Sequence, residues 1–540
     1  MASANLTATA EWAALARHAR ELQATGVHLR DLFDSDPGRF ERLTVTAADL
    51  VIDWSRHLVT AETVELLLAL ADRVGVVERV EATLAGDPVN VTENRPALHT
   101  ALRAGPAASV EVGGIDLMPA VRSELDRMAD FSRAVRAGER RGATGRPIRT
   151  VMNLGIGGSC LGPAMAHEAL AAFRRGGLEC RFVSNFDPAD LATALDGGLD
   201  PAETLFVVVS KSFRTPETLA NARAARAWAA ASLGPEAVGR HFVAATADEA
   251  AAIDFGVDPD NVFPMWDWVG GRYSLGSAAG LSLMLAIGED GFGEMLAGMR
   301  TVDEHLVRQP PAVNAPVLMG LLGVWYRNFW GLQTRAVVPY SYRLRLLPAY
   351  LQQLHMESNG KRVGLDGSPV ACDTGQVVWG GTGTDSQHSF HQFLHQGTTV
   401  VPADFIFLAR PDADTAGSPG AGERHEALVA NCFAQASALA FGAPATDPHR
   451  ELPGNRPSTV ILAPELTPSV LGQLVALYEH EVLVQGAVWG INSFDQYGVE
   501  HGKTLADAIV GDLRRGPVAP ASGPDPAAAA SIGRFRRLRE

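Results

Sequence analysis

Lysine is almost missing from this 540-residue chain: of 46 basic side chains only three, Lys211, Lys361 and Lys503, are not arginine. A preference for arginine accounts for a surface, but not for three positions that resist it. Cysteine is scarce as well. Cys160, Cys180, Cys372 and Cys432 lie far apart with no CxxC pair, which excludes a zinc ribbon or a dithiol redox motif. Positive charge is in deficit, 46 Lys plus Arg against 61 Asp plus Glu, for a net charge of −15. A protein that binds nucleic acid or an anionic membrane over its whole surface is not that acidic, although a local basic pocket is compatible with it. No uncharged apolar run approaches the ~20 residues that span a bilayer. The N-terminus also lacks the basic start and apolar stretch of a secretory leader, so a cytoplasmic protein is expected.

What is present fits a multi-domain globular protein, with 46% hydrophobic and 20% charged residues. Residues 1–120 are mostly helical in pattern, beginning with an amphipathic stretch through Trp12, Leu15 and Leu22. From Thr150 short apolar runs (TVMNLGI, RFVSN, TLFVVVS, HFVAAT, NVFPMW) alternate with helical stretches, the signature of βαβ units and a parallel sheet. The helical segment SLGSAAGLSLMLAIG closes this part near Gly288. The alternation resumes through RAVVPY, QVVWGG, DFIFLAR and STVILAP. The expected fold is α/β: a helical extension (1–120) packed with the second domain, α/β domains at 121–288 and 289–505, and a C-terminal arm (506–540). That arm reads as a Pro/Ala/Gly-rich linker ending in the basic helix SIGRFRRLRE.

Chemistry is expected at the strand ends. NLGIGGSCLGP (153–163) is a strand, a glycine turn and a helix start, which suits an anion. It is not a dinucleotide fingerprint. Cys160 occupies the third glycine position, and the nearest acidic residue, Asp187, lies too far along. SKSFRTPET (210–218) brings Ser210, Ser212 and Thr215 hydroxyls and the Lys211 ammonium to the start of a helix. Thr215 is placed as its N-cap and Pro216 as its first residue, a combination suited to a monophosphate. In GGRYSLGSAAG, Arg272 follows Gly270 and Gly271 and can hold a carboxylate or a developing oxyanion. In YLQQLHMESNGKRV, a stop at Asn359-Gly360 puts Glu357 in a last helical turn, a position that suits a general base. His391 and His395 share a metal-compatible i, i+4 spacing but lack an HExxH glutamate, so a polar helix face or one catalytic imidazole, with His388 nearby, is preferred. NSFDQYGVEHGK places Lys503 after a turn at Gly502.

GIGGSCLGP, SKSFRTPET, GGRYSLGSAAG, QQLHMESNGK, GTDSQHSF and NSFDQYGVEHGK occur in the order found in glucose-6-phosphate isomerases, which the chain resembles from about Thr150 to Lys503. The resemblance implies two sugar-isomerase (SIS-type) domains, a homodimer with a shared active site, no metal, no organic cofactor and a hexose 6-phosphate substrate. It implies Glu357 as the base moving a proton between C2 and C1 through a cis-enediol, with Arg272 stabilising the enediolate. It further implies His388, from the other subunit, as the ring-opening acid/base, oriented by Glu217 and assisted by Lys503. Ser210, Lys211, Ser212 and Thr215 match the phosphate loop. Gly158, Ser159, Gly271, Gln353 and, less closely, Gln496 match sugar-binding positions. Departures are Ser212, Arg214 (added charge near the phosphate), Pro216, the residues Gly381, Thr382, Asp385 and Ser386 before His388, and His355 and His391, which stand where Asp and an aromatic are usual. They leave open an isomerase that also takes mannose 6-phosphate. A non-catalytic sugar-phosphate-binding regulator is the reading from another class, disfavoured because Glu357, His388 and Lys503 are all retained.

Overall fold

The computed structural model describes residues 6–515 and 523–539. Residues 1–493 make one compact unit and 494–540 a second. In the first unit, strands β1 (Thr44–Ala47), β2 (Leu50–Asp53), β3 (Glu111–Val112) and β4 (Ile115–Asp116) precede the expected βαβ region. β5 (Thr150–Leu154), β6 (Glu179–Val183), β7 (Thr204–Val209), β8 (Phe242–Thr246) and β9 (Val262–Pro264) then form an all-parallel sheet in the order β6-β5-β7-β8-β9. β7 is buried at every residue, as a run of Leu, Phe and three Val requires when helices cover both faces. The strand order reverses between β5 and β7, so a crevice opens beyond their carboxyl ends, where open α/β sheets bind ligands. The glycine turn leaves β5 there, and the Ser210–Thr215 loop leaves β7.

β10 (Thr334–Pro339), β11 (Val377–Gly380), β12 (Ala403–Leu408) and β13 (Ser458–Ala463) form the parallel part of a second sheet, ordered β1-β2-β13-β12-β10-β11. The hairpin β1–β2 adds strands to a region read as mostly helical, and β2 pairs antiparallel with β13. Its turn lacks the Asn-Gly or Asp-Gly signal of a tight hairpin; Ala48 takes the left-handed conformation instead (φ 52°). The helix expected to close the first α/β region runs from Leu281 to Arg308 and breaks at Gly288 (φ 83°, ψ 166°).

In the second unit Lys503 lies inside a helix, Glu500–Leu513, and not after a Gly502 turn. The turn comes earlier, at Tyr497–Val499, and the helix-forming residues that follow offset the roughly 1 kcal/mol that a mid-helix glycine costs. The last helix, Pro526–Leu538, takes in part of the expected linker, because Asp525 accepts from the Ala527 and Ala528 amides at its start. Residues 516–522 of that linker lie outside the described residues. Among the described residues, no helix is long and apolar enough to cross a membrane.

Candidate active site

Four loops converge in the crevice. The glycine turn Gly157–Ser159 lies against the turn Gly271–Tyr273, so closely that a Cβ on Gly158 would collide with the Gly271 carbonyl. Gly157 takes φ 57°, and a side chain there would press on the Gln353 amide. Asn153, on β5, ties the turn down by donating to the Ser159 carbonyl (3.1 Å). Gly271 itself has open space where a Cβ would stand.

Arg272 is the centre of the cluster. It is buried, and its Nε donates to Ser358 Oγ (2.6 Å) and its Nη2 to the Ser493 carbonyl (2.6 Å). Its Nη1 stands 3.3 Å from Glu357 Oε2. The same carboxylate oxygen accepts from Gln353 Nε2 (3.0 Å), and Gln353 Oε1 is buried with no hydrogen-bond partner among the described residues. Glu357 lies in the last turns of a helical segment whose regular part, Leu347–Gln352, gives way to a wider i→i+5 turn over Gln353–Glu357. Such turns often mark functional sites, and here the turn brings Gln353 onto Glu357. The helix stops at Asn359-Gly360 as the sequence implies. Lys361 secures that stop by donating to the carbonyls of Ser358 (3.0 Å) and Asn492 (2.8 Å).

The turn rests on a buried polar scaffold that local sequence reading does not find. Arg335, on β10, donates to Glu481 Oε1 (2.5 Å) and Oε2 (3.1 Å) and stands 3.2 Å from His355 Nε2, two residues before Glu357. Burial keeps His355 well below the usual imidazole pKa, so it is neutral and accepts from Arg335. Gln485 links Glu481 (2.9 Å) to Asn359 (3.3 Å), two residues after Glu357. The only local signal was His355 itself, as a departure from the family pattern. On the other side, His99 stacks on Tyr273 (4.5 Å between centroids), whose hydroxyl lies 3.0 Å from Ser358 Oγ.

The loop after β7 is built as a cradle. Phe213 takes a left-handed conformation (φ 47°) while its ring is buried in the first sheet's core. A non-glycine residue held so costs about 1–3 kcal/mol, offset here by burial of the ring. Ser210 is buried and donates to Thr215 Oγ1 (3.1 Å), while Ser212 is exposed. Thr215 does precede the helix Pro216–Leu233 as expected, but its hydroxyl accepts from Ser210 and caps nothing. Lys211 Nζ donates to the carbonyls of Asp267 (2.7 Å) and Val269 (3.0 Å), which joins the cradle to the Gly271–Arg272 turn. Burial, and then the Arg95 guanidinium on the same Asp267 carbonyl, lower the Lys211 pKa to about 8. Arg214 is largely exposed and paired with Asp248 (3.1 Å).

Two further expected residues of the first unit, Glu217 and His388, form no hydrogen bond or ion pair with this cluster among the described residues. Glu217 sits in the first turn of its helix, its Oε2 buried and without a hydrogen-bond partner among the described residues. His388 is exposed, and no hydrogen bond or ion pair among the described residues joins it to Glu217, Arg272 or Glu357. Gln496 and Lys503 belong to the second unit. His391 and His395 do share a helix, His391–Gln396, but both point at Gln435 Oε1 (3.1 and 2.7 Å), an arrangement of hydrogen bonds and not of ligands. Among the described residues, no group of three or more His, Cys, Asp or Glu is placed to hold a metal ion.

The sequence matches the family model described as phosphoglucose isomerase over residues 53–528. It is 53% identical to glucose-6-phosphate isomerase 3 of Rhodococcus jostii, with 99% of this chain and 98% of the relative covered. It is 50% identical to the glucose-6-phosphate isomerase of Mycolicibacterium smegmatis, with 99% of each covered. Among solved structures it resembles a glucose-6-phosphate isomerase from Chlamydia trachomatis, with a TM-score of 0.87, 33% identity, and 99% and 100% of the two chains covered.

Proposed function

The chain belongs to the phosphoglucose isomerase family, and from that premise we propose a mechanism for its interconversion of glucose 6-phosphate and fructose 6-phosphate. The carrying observation is the Glu357 carboxylate, held between Arg272 and Gln353 in the crevice that the phosphate cradle also faces. The phosphate docks on Lys211 and the Ser210, Ser212 and Thr215 hydroxyls, which fixes the sugar's far end. Glu357 takes the proton from the carbon next to the carbonyl. Arg272, a permanent cation beside it, stabilises the enediolate oxygen; the hydroxyl proton passes from one oxygen to the other, and Glu357 returns its proton to the neighbouring carbon. The open Gln353 Oε1, with Gly158, Ser159 and Gly271, receives sugar hydroxyls.

Ring opening needs a group that can both give and take a proton, and His388 fills that role from the second subunit of a homodimer. The unspent, buried Glu217 Oε2 supports this reading, because it is a carboxylate oxygen awaiting an N–H. Lys503 assists at the ring, and Gln496 contributes to sugar binding. The two sheets are read as two sugar-isomerase domains, 121–288 and 289–505, and the enzyme as cytoplasmic.

A coupled assay converting fructose 6-phosphate to glucose 6-phosphate tests the reading. We expect turnover without added metal and undiminished by a chelator. Because the unliganded Lys211 titrates at about 8, binding a phosphate dianion above that pH requires proton uptake. KM therefore rises as pH passes through about 8, and Lys211→Met gives a higher KM without that rise. A folded protein without turnover refutes the activity; a flat wild-type KM refutes the role of Lys211.

A further inference from the structure

Two departures from the family pattern, Ser386 and His391, meet in space. His391 Nε2 lies 3.0 Å from Ser386 Oγ, and both residues are buried. An aromatic residue at 391 could not form this bond, and His391 without the Ser386 hydroxyl would leave its buried Nε2 without this partner. We propose that Ser386 and His391 are a positioning pair that fixes the turn presenting His388. The proposal rests on the reading of His388 as the ring-opening acid/base.

The hydrogen-bond inventory fixes the direction. Gln435 Oε1, on the helix Ala421–Phe441, only accepts, so His391 Nδ1 (3.1 Å) and His395 Nε2 (2.7 Å) both carry protons. Burial lowers the His391 pKa, so the ring is neutral and its Nε2 is a bare acceptor. The Ser386 hydroxyl donates to the Gly383 carbonyl (2.6 Å) and, with the same proton, faces the bare His391 Nε2 (3.0 Å) in a shared bond.

Ser386 is also the knot of the turn. Its amide donates to the Thr382 carbonyl (2.9 Å), and its own carbonyl accepts from the amides of Ser389 (3.1 Å) and Phe390 (3.0 Å). His388 is the exposed residue between these two closures. The chain Ser386–His391–Gln435 thus anchors the turn to a helix packed on β12, by a polar pin through the buried side of the loop. Placement matters because a misplacement of about 1 Å in a catalytic group costs on the order of a hundredfold in rate.

The test uses the full-length protein with Ser386→Ala, His391→Phe, the double variant and His391→Gln, which keeps an acceptor within reach of Ser386. Each single change lowers kcat/KM for glucose 6-phosphate about tenfold, and the double change costs no more than the worse single one, as expected of a coupled pair. The isotope effect with substrate deuterated at C2 falls toward one, because ring opening becomes the slow step. Inhibition by an acyclic hexitol 6-phosphate, which has no ring to open, is unchanged. His391→Gln recovers most of the loss. Multiplying single effects, an unchanged isotope effect alongside a lost rate, or wild-type rates throughout would each overturn the pair. A His388→Asn control separates the two levels: wild-type turnover there removes the reading of His388 itself, while a dead control beside unaffected pair variants removes only the proposal.

Discussion

Glu357→Gln is expected to lower kcat by about 10³–10⁴-fold while leaving phosphosugar binding within a few-fold of wild type. The amide has the carboxylate's shape and still accepts from Gln353 or Arg272 through its carbonyl oxygen. It cannot take a proton from carbon. Because the phosphate cradle and the Arg272 turn are separate pieces of backbone, the ground-state complex keeps most of its contacts. The loss therefore falls on kcat, and calorimetric titration with a non-reacting hexitol phosphate reads the intact affinity. Near-normal turnover would remove Glu357 from the reaction.

Arg272→Lys is expected to cost about 10²–10³-fold in kcat although it preserves the charge. The guanidinium reaches three directions at once: Ser358 Oγ, the Ser493 carbonyl and Glu357 Oε2. One ammonium on a flexible stem cannot keep all three, and the buried Ser493 carbonyl then loses a charged donor, at about 1–3 kcal/mol of stability. The enediolate also loses a cation held in place before the reaction. Steady-state kinetics with a thermal melt separate the two costs. Turnover within threefold of wild type would mean that a positive charge anywhere nearby suffices.

Much of this was legible before any coordinates. Each parallel strand overlaps a short apolar run, and the central strands β7 and β12 are buried at every residue, which calls for near-continuous hydrophobicity. Two of the three lysines, Lys211 and Lys361, sit at the site described, donating to carbonyls where a compact ammonium fits between loops. What was not legible depends on long-range partnership. Arg335 and Glu481 are 146 residues apart, and neither carries a local signal that it will support Glu357. The hairpin β1–β2 was missed because it is short and its turn uses Ala48, not glycine or asparagine. Ser386 and His391 were visible singly as departures, yet only the fold shows that they face each other. Thr215 was placed correctly at its helix start, while the partner of its hydroxyl was not foreseeable from the cap rule.

The central claim is proton transfer through an enediol by a carboxylate, and solvent deuterium tests it most directly. Fructose 6-phosphate is converted in deuterium oxide, the glucose 6-phosphate is trapped as it forms, and C2 is read by proton NMR. A proton held on the Glu357 carboxylate exchanges with solvent during part of the turnovers, so the account predicts deuterium at C2. A product that carries no solvent deuterium at C2, as a direct hydride shift between the carbons requires, would contradict it.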